Sequence, residues 1–192
     1  MAREIKSFNM FGVHYNSRQF SAVDGLRMMS GIHDVPPEEL LKGTDVLAHT
    51  EEQPEGVWLP LTAANINLYV IDRANVIAPV QVLALLSELV IDWNFGFLKD
   101  WTGVKIPARF VEDIKSVKTA HSPSVVASLV ANGSASMREL EEYYSTQDAF
   151  KMIDIMTAKS VNEALASEAS QNRIKKGLSL IHISEPTRLL SI

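Results

Sequence analysis

Residues 76–98 are the most apolar region of the chain, and they constrain its fold more than any other segment. The longest uncharged stretch there, residues 74–87, contains Pro79 and Gln81, and Glu88 and Asp92 interrupt the remainder. A bilayer span needs about 20 apolar residues in a row. The segment therefore reads as a buried helix over residues 78–93. Pro79 suits its first turn, where the missing N–H removes no helical bond. Val80, Leu83, Leu86, Leu89 and Val90 make it apolar over much of its circumference. A helix of that kind is ordinarily surrounded by others, which predicts a bundle.

The flanking segments carry helix punctuation. Ser21 with Asp24 marks a helix start, with Val23, Leu26 and Met29 beyond it at helical spacing. Pro36-Pro37-Glu38-Glu39 opens a short second helix. Thr62 can cap a helix to about Asp72, although the alternation of Asn65, Ile66, Asn67 and Leu68 also fits a strand. Residues 110–118 read as a further helix. Ser122-Pro123 reads as a cap with proline in the first turn, and Gly133 as the matching stop. Ser136 and Glu139 form a capping box, and Ser145 with Asp148 starts a last helix that ends in Arg173, Lys175 and Lys176. Before all of these, Ile5, Phe8 and Met10, then Val13 and Tyr15, flank Phe11-Gly12 as in a small hairpin. Residues 43–56, with Gly43, Pro54, Gly56, Glu51, Glu52 and Glu55, read as an acidic connector. No internal repeat stands out. The expected fold is mostly α: a helical bundle-like single domain over residues 1–177 with a small N-terminal β-hairpin.

The end of the chain reads differently. The run Leu178-Ser179-Leu180-Ile181-His182-Ile183-Ser184-Glu185-Pro186-Thr187-Arg188 resembles a sequencing adapter translated in frame. Residues 178–192 are expected to be a non-native tail, with a natural β-strand as the alternative.

Composition narrows the chemistry. There is no cysteine, which removes disulfides, thiolate zinc sites, iron–sulfur clusters and thiol nucleophiles. The net charge of −5 argues against nucleic-acid binding. No phosphate-binding or dinucleotide glycine motif occurs, and neither does a nucleophile elbow. His14, His33, His49, His121 and His182 include no pair spaced to share a helix face, so no metal site is expected. Glu139 and Glu142 share a face beside the capping box, where helix-start charge explains them. Lys99, Lys105, Arg109, Lys115 and Lys118 are diluted by Asp100, Glu112 and Asp113 and read as a solvated face. No catalytic residue and no cofactor is expected.

Trp93, Phe97 and Trp101 recur every fourth residue around Gly96. If the helix continued, their rings would line one stripe. Such a stripe is more often core than a contact surface, and the three residues are also the candidate partner-binding patch. Gly96 weakens a helix by about 1 kcal/mol relative to alanine and marks a break or a close approach.

Several pieces resemble bacteriophage tail assembly chaperones. They are Phe11-Gly12-Val13-His14-Tyr15, then Gln19-Phe20-Ser21-Ala22 with Gly25-Leu26, and the run Leu140-Glu141-Glu142-Tyr143-Tyr144-Ser145-Thr146-Gln147-Asp148-Ala149. Asn94-Phe95-Gly96-Phe97-Leu98 resembles a stretch of phage structural-module proteins. The resemblance implies a non-catalytic protein of the host cytoplasm, without cofactor. Its implied partner is the tape measure protein or another phage tail protein, with no nucleic acid and no membrane. A virion structural protein, as a tail adaptor or completion factor, is the alternative, and a small enzyme comes after it.

Overall fold

The computed structural model describes residues 3–29, 31–49, 51, 53–111 and 119–182, with the backbone alone at residue 33 and residues 176–182. Helix makes up 54% and strand 14%, and a four-stranded antiparallel sheet precedes most of the helices. This α+β arrangement corrects the expected mostly helical, bundle-like fold. Contacts divide the described chain into two compact units, residues 3–102 with 119–153 and residues 103–111 with 154–182.

In the first unit, β1 (Ile5–Met10) and β2 (Val13–Arg18) form the expected hairpin. Phe11 (φ 51°) and Gly12 (φ 80°) supply its two left-handed turn residues. The Phe11 carbonyl accepts from the Arg73 N–H at 3.2 Å. Two helices come next, α1 (Ala22–Met28) and α2 (Pro37–Leu40), and the chain then returns to the sheet. β3 (Thr44–Ala48) pairs with β2, and β4 (Val57–Pro60) pairs with β3. The expected connector over residues 43–56 thus contains a strand. Thr44, Val46 and Ala48 turn inward at period two. The Thr44 hydroxyl finds the Ser17 hydroxyl at 2.9 Å in the interior.

The inner sheet face carries Phe8, Met10, Val13, Tyr15 and Val46. The Tyr15 hydroxyl donates to the Tyr69 carbonyl at 3.2 Å, and burial pushes its pKa up to about 12. Packed into the same core are residues of α2, α3 (Ala63–Tyr69) and α4 (Pro79–Phe95). Thr62 caps α3 as a helix and not a strand. Among the described residues, α4 is not surrounded, contrary to the expectation. Its buried residues are Val82, Leu86, Val90 and Asn94, one stripe at a spacing of four. By length and composition, Pro79–Lys99 could cross a membrane, and 28% of its apolar window is buried. Asp72 sets the turn into α4. Its carboxylate accepts from the N–H groups of Ala74 at 2.9 Å, Val76 at 2.8 Å and Ile77 at 3.0 Å.

A second core gathers Ala22 and Val23 of α1 with residues of α5 (Ser124–Ala131), α6 (Met137–Glu142) and α7 (Thr146–His182). Ser122 is not the cap of α5; Pro123 occupies that position without a side-chain bond. The Ser136 capping box forms as expected. α1 and α7 start against one another. Ser21 and Ser145 form an antiparallel bridge, and the Ala22 N–H donates to the Tyr144 carbonyl at 2.8 Å. Each serine hydroxyl accepts from the N–H of the aspartate three residues on, Asp24 or Asp148. The two starts share a pattern that reading for long repeats passes over: Phe20-Ser21-Ala22-Val23-Asp24-Gly25-Leu26-Arg27-Met28 and Tyr144-Ser145-Thr146-Gln147-Asp148-Ala149-Phe150-Lys151-Met152.

In the second unit, residues 103–111 lie along α7 from Asp154 onward. The Val104 N–H donates to Asp154 at 2.9 Å, and Arg109 pairs with Glu168 at 3.0 Å. Residues 112–118 of the expected helix over 110–118 lie outside the described residues, and Ala108–Phe110 is a 3-10 turn. Of the adapter-like tail, residues 178–182 continue α7 and residues 183–192 lie outside the described residues.

This packing can be tested at two positions. A Cβ at Gly25 would overlap the Thr146 hydroxyl and lie 3.1 Å from its Cβ. Gly25→Ala is expected to lower stability by about 1–3 kcal/mol in urea denaturation, and adding Thr146→Gly is expected to recover most of that. The N–H bonds of Ala74, Val76 and Ile77 hold the Asp72 carboxyl below its usual range against the opposing effect of burial. Its contribution is therefore present above the unfolded-state value of about 3.9 and lost as pH falls through the lower folded-state value. The difference in melting temperature between the wild type and Asp72→Asn should shrink across that window; a constant difference would refute the role.

Candidate functional site

The candidate aromatic residues run from α4 to just past its end. The α-helix stops at Phe95 and passes into a 3-10 turn, Gly96–Lys99. Gly96 makes room for Asp92, whose carboxylate oxygen would lie 3.1 Å from a Cβ there. Lys99 closes the break by pairing with Asp92 at 2.6 Å. The hydrogen bond from Lys99 and then its charge hold the Asp92 carboxyl below its ordinary value. Both groups are exposed, so this pair adds little stability.

Because the helix breaks, Trp93, Phe97 and Trp101 do not form one stripe. Phe97 and Trp101 meet edge to face, with centroids 5.7 Å apart at 84°. Phe150 of α7 completes the group, 5.5 Å from Phe97 and 5.8 Å from Trp101, also tilted steeply. These are the preferred geometries of aromatic pairs. Trp93 has a different neighbour: the Lys6 ammonium of β1 stands 5.1 Å from its ring centroid. The Trp93 indole nitrogen is buried and has no hydrogen-bond partner. All three residues are half-buried. They combine a packing role with a solvent-facing edge.

The two most exposed of the large apolar side chains lie at the entry to α4, Val76 in the turn before it and Val80 in its first turn. Val76 is 83% exposed and Val80 is 72% exposed, and Leu85 is also open. An enclosed helix would have placed Val80 and Leu85 inside. The sequence does hold the relevant signal, since Val82, Leu86 and Val90 alone suffice for a buried stripe and leave Val80 opposite.

The polar candidates are scattered. His14 faces Asn9 on the outer sheet face, His49 bonds the Pro54 carbonyl at 3.0 Å, and His121 is exposed. The side chains of His33 and His182 lie outside the described ones. Glu139 completes the capping box, where the Ser136 N–H and hydroxyl hold its carboxyl below the usual range, and Glu142 pairs with Arg138 at 3.1 Å. Among the described residues, no group of three or more His, Asp and Glu is placed to hold a metal.

The two tryptophans should respond differently to substitution. Trp93→Phe keeps an aromatic ring and removes the unpaired buried donor, so stability should stay within about 1 kcal/mol of the wild type or rise. Trp101→Ala opens the three-ring group and should cost about 2–4 kcal/mol. Urea denaturation checks both, and equal losses would contradict this division. Comparison of the chain with protein-family models, with curated proteins and with solved structures gives no match.

Proposed function

We propose that the chain is a non-catalytic assembly chaperone of the phage tail type, which covers a segment of a helix-rich tape measure protein in the host cytoplasm. The observation that carries this reading is the open apolar surface at the start of α4, Val76 and Val80 above all. Exposed apolar groups in the turn before the most apolar helix of an acidic protein and in its first turn suit an amphipathic partner helix. Trp93, Phe97 and Trp101 add solvent-facing ring edges farther along the same segment.

The positions of the resembling pieces support the reading too. The Asn94 side chain accepts from the Phe20 N–H at 2.6 Å, and Ser21 bridges Ser145. Three pieces distant in sequence thus make one junction.

The test is co-expression with a phage tape measure protein, and then purification through the tape measure protein. Co-purification is expected, and Val76→Asp with Val80→Asp should weaken it at least tenfold while leaving the circular dichroism and melting temperature unchanged. These valines are cleaner probes than Trp101, whose removal also disturbs packing. Retained binding in the double variant overturns the proposed surface. Mass spectrometry of purified particles decides the alternative, because a chaperone is absent from them and an adaptor or completion protein is present.

A further inference from the structure

A cleft of about 540 Å³ opens between the start of β1, the end of β2, α1, the turn before β3, and α6. That volume falls in the range of small-molecule sites. Phe20 and Met28 are buried and give it an apolar floor. Its walls carry three cations, Arg3, Arg18 and Lys42. They also carry four carboxylates, Asp24, Glu39, Asp45 and Glu141. None of these seven groups takes part in a salt bridge among the described residues. Both signs of charge are therefore available to a ligand.

Arg3 shows which sign is wanted where. One of its five N–H groups donates to the Gln19 carbonyl at 3.2 Å. Burial first, and the like charge of Arg18 second, push the Arg3 pKa down, while Asp24 acts the other way. An anion between the two guanidiniums would replace the lost water and offset their repulsion. The wall as a whole disfavours a polyanion, because carboxylates outnumber cations. A molecule with one anionic and one cationic group matches both features.

We propose that this cleft binds a small zwitterion of the α-amino acid kind, its carboxylate between Arg3 and Arg18, its ammonium among the carboxylates, and its side chain on the Phe20–Met28 floor. This site is separate from the α4 surface and does not depend on the chaperone reading.

The experiment is a titration of the ¹⁵N-labelled protein with free phenylalanine, leucine, lysine and glutamate, with acetate, methylammonium and inorganic phosphate as single-charge-sign probes. At least one amino acid should shift the amide signals of Gln19, Phe20 and Gly43 saturably, while the single-sign probes at the same concentration do not. Arg3→Gln and Asp45→Asn should each weaken that binding at least tenfold with the spectrum otherwise unchanged, and Arg18→Gln provides a second cation variant if Arg3→Gln disturbs the fold. Three results would overturn the proposal: no saturable response to any amino acid, acetate or phosphate binding as tightly as the amino acids, or unchanged affinity in the folded variants.

Discussion

The approach of α1 to α7 is the constraint on which the first unit depends. Two helix starts share one antiparallel bridge, and a glycine at position 25 leaves room for Thr146. α1 lies in both cores as a result: Met28 belongs to the core under the sheet, and Ala22 and Val23 belong to the core of α5, α6 and α7. The same short segment is tied to α4 through the Phe20 N–H and Asn94. A buried asparagine in the apolar stripe of α4 is tolerable because its amide also donates to the Val90 carbonyl at 2.9 Å. Two polar linkages thus orient three helices that apolar contact alone would leave free to slide.

Local chemistry made much of this legible in the sequence. Thr62, Ser21, Ser136 and Ser145 each cap a helix in the structure, and the residues after each suit a first turn. The Phe11-Gly12 turn and the Pro79 helix start belong to the same class of signal. Long-range pairing was not legible. β3 holds its place through Ser17 and Thr44 and through Tyr15 opposite Val46, partners about thirty residues earlier. Its inward residues are small or polar, and the neighbouring glutamates, proline and glycine dominate a local reading.

α4 departs from its sequence reading for the opposite reason. Its sequence is apolar over much of its circumference, and composition says nothing of which neighbours exist. Four inward positions satisfied the sheet, and much of the rest stayed outside. The charged cleft left no trace in the sequence at all. Its walls run from Arg3 to Glu141, and no two of its charged residues make a motif. The outer sheet face, with Ser7, Asn9, His14, Asn16, Arg18 and Asp45, shows the opposite economy, since alternation with the buried positions leaves polar groups where water meets the sheet.

The way the two cores draw on the chain has a consequence for synthesis on the ribosome. Every member of the core under the sheet lies between Phe8 and Phe95. That core can close while the rest of the protein is still being made, since domains fold as their sequence emerges. The other core needs Ala22 and Val23 to wait for Ala149. Until α5, α6 and α7 have all emerged, the inner face at the start of α1 is incompletely covered, and a nascent chain stalled before α5 exposes it. Loop closure over that span is slow relative to local helix formation. The finished junction between Ser21 and Ser145 is thus a late event, and it marks the point at which the nascent chain becomes the native first unit.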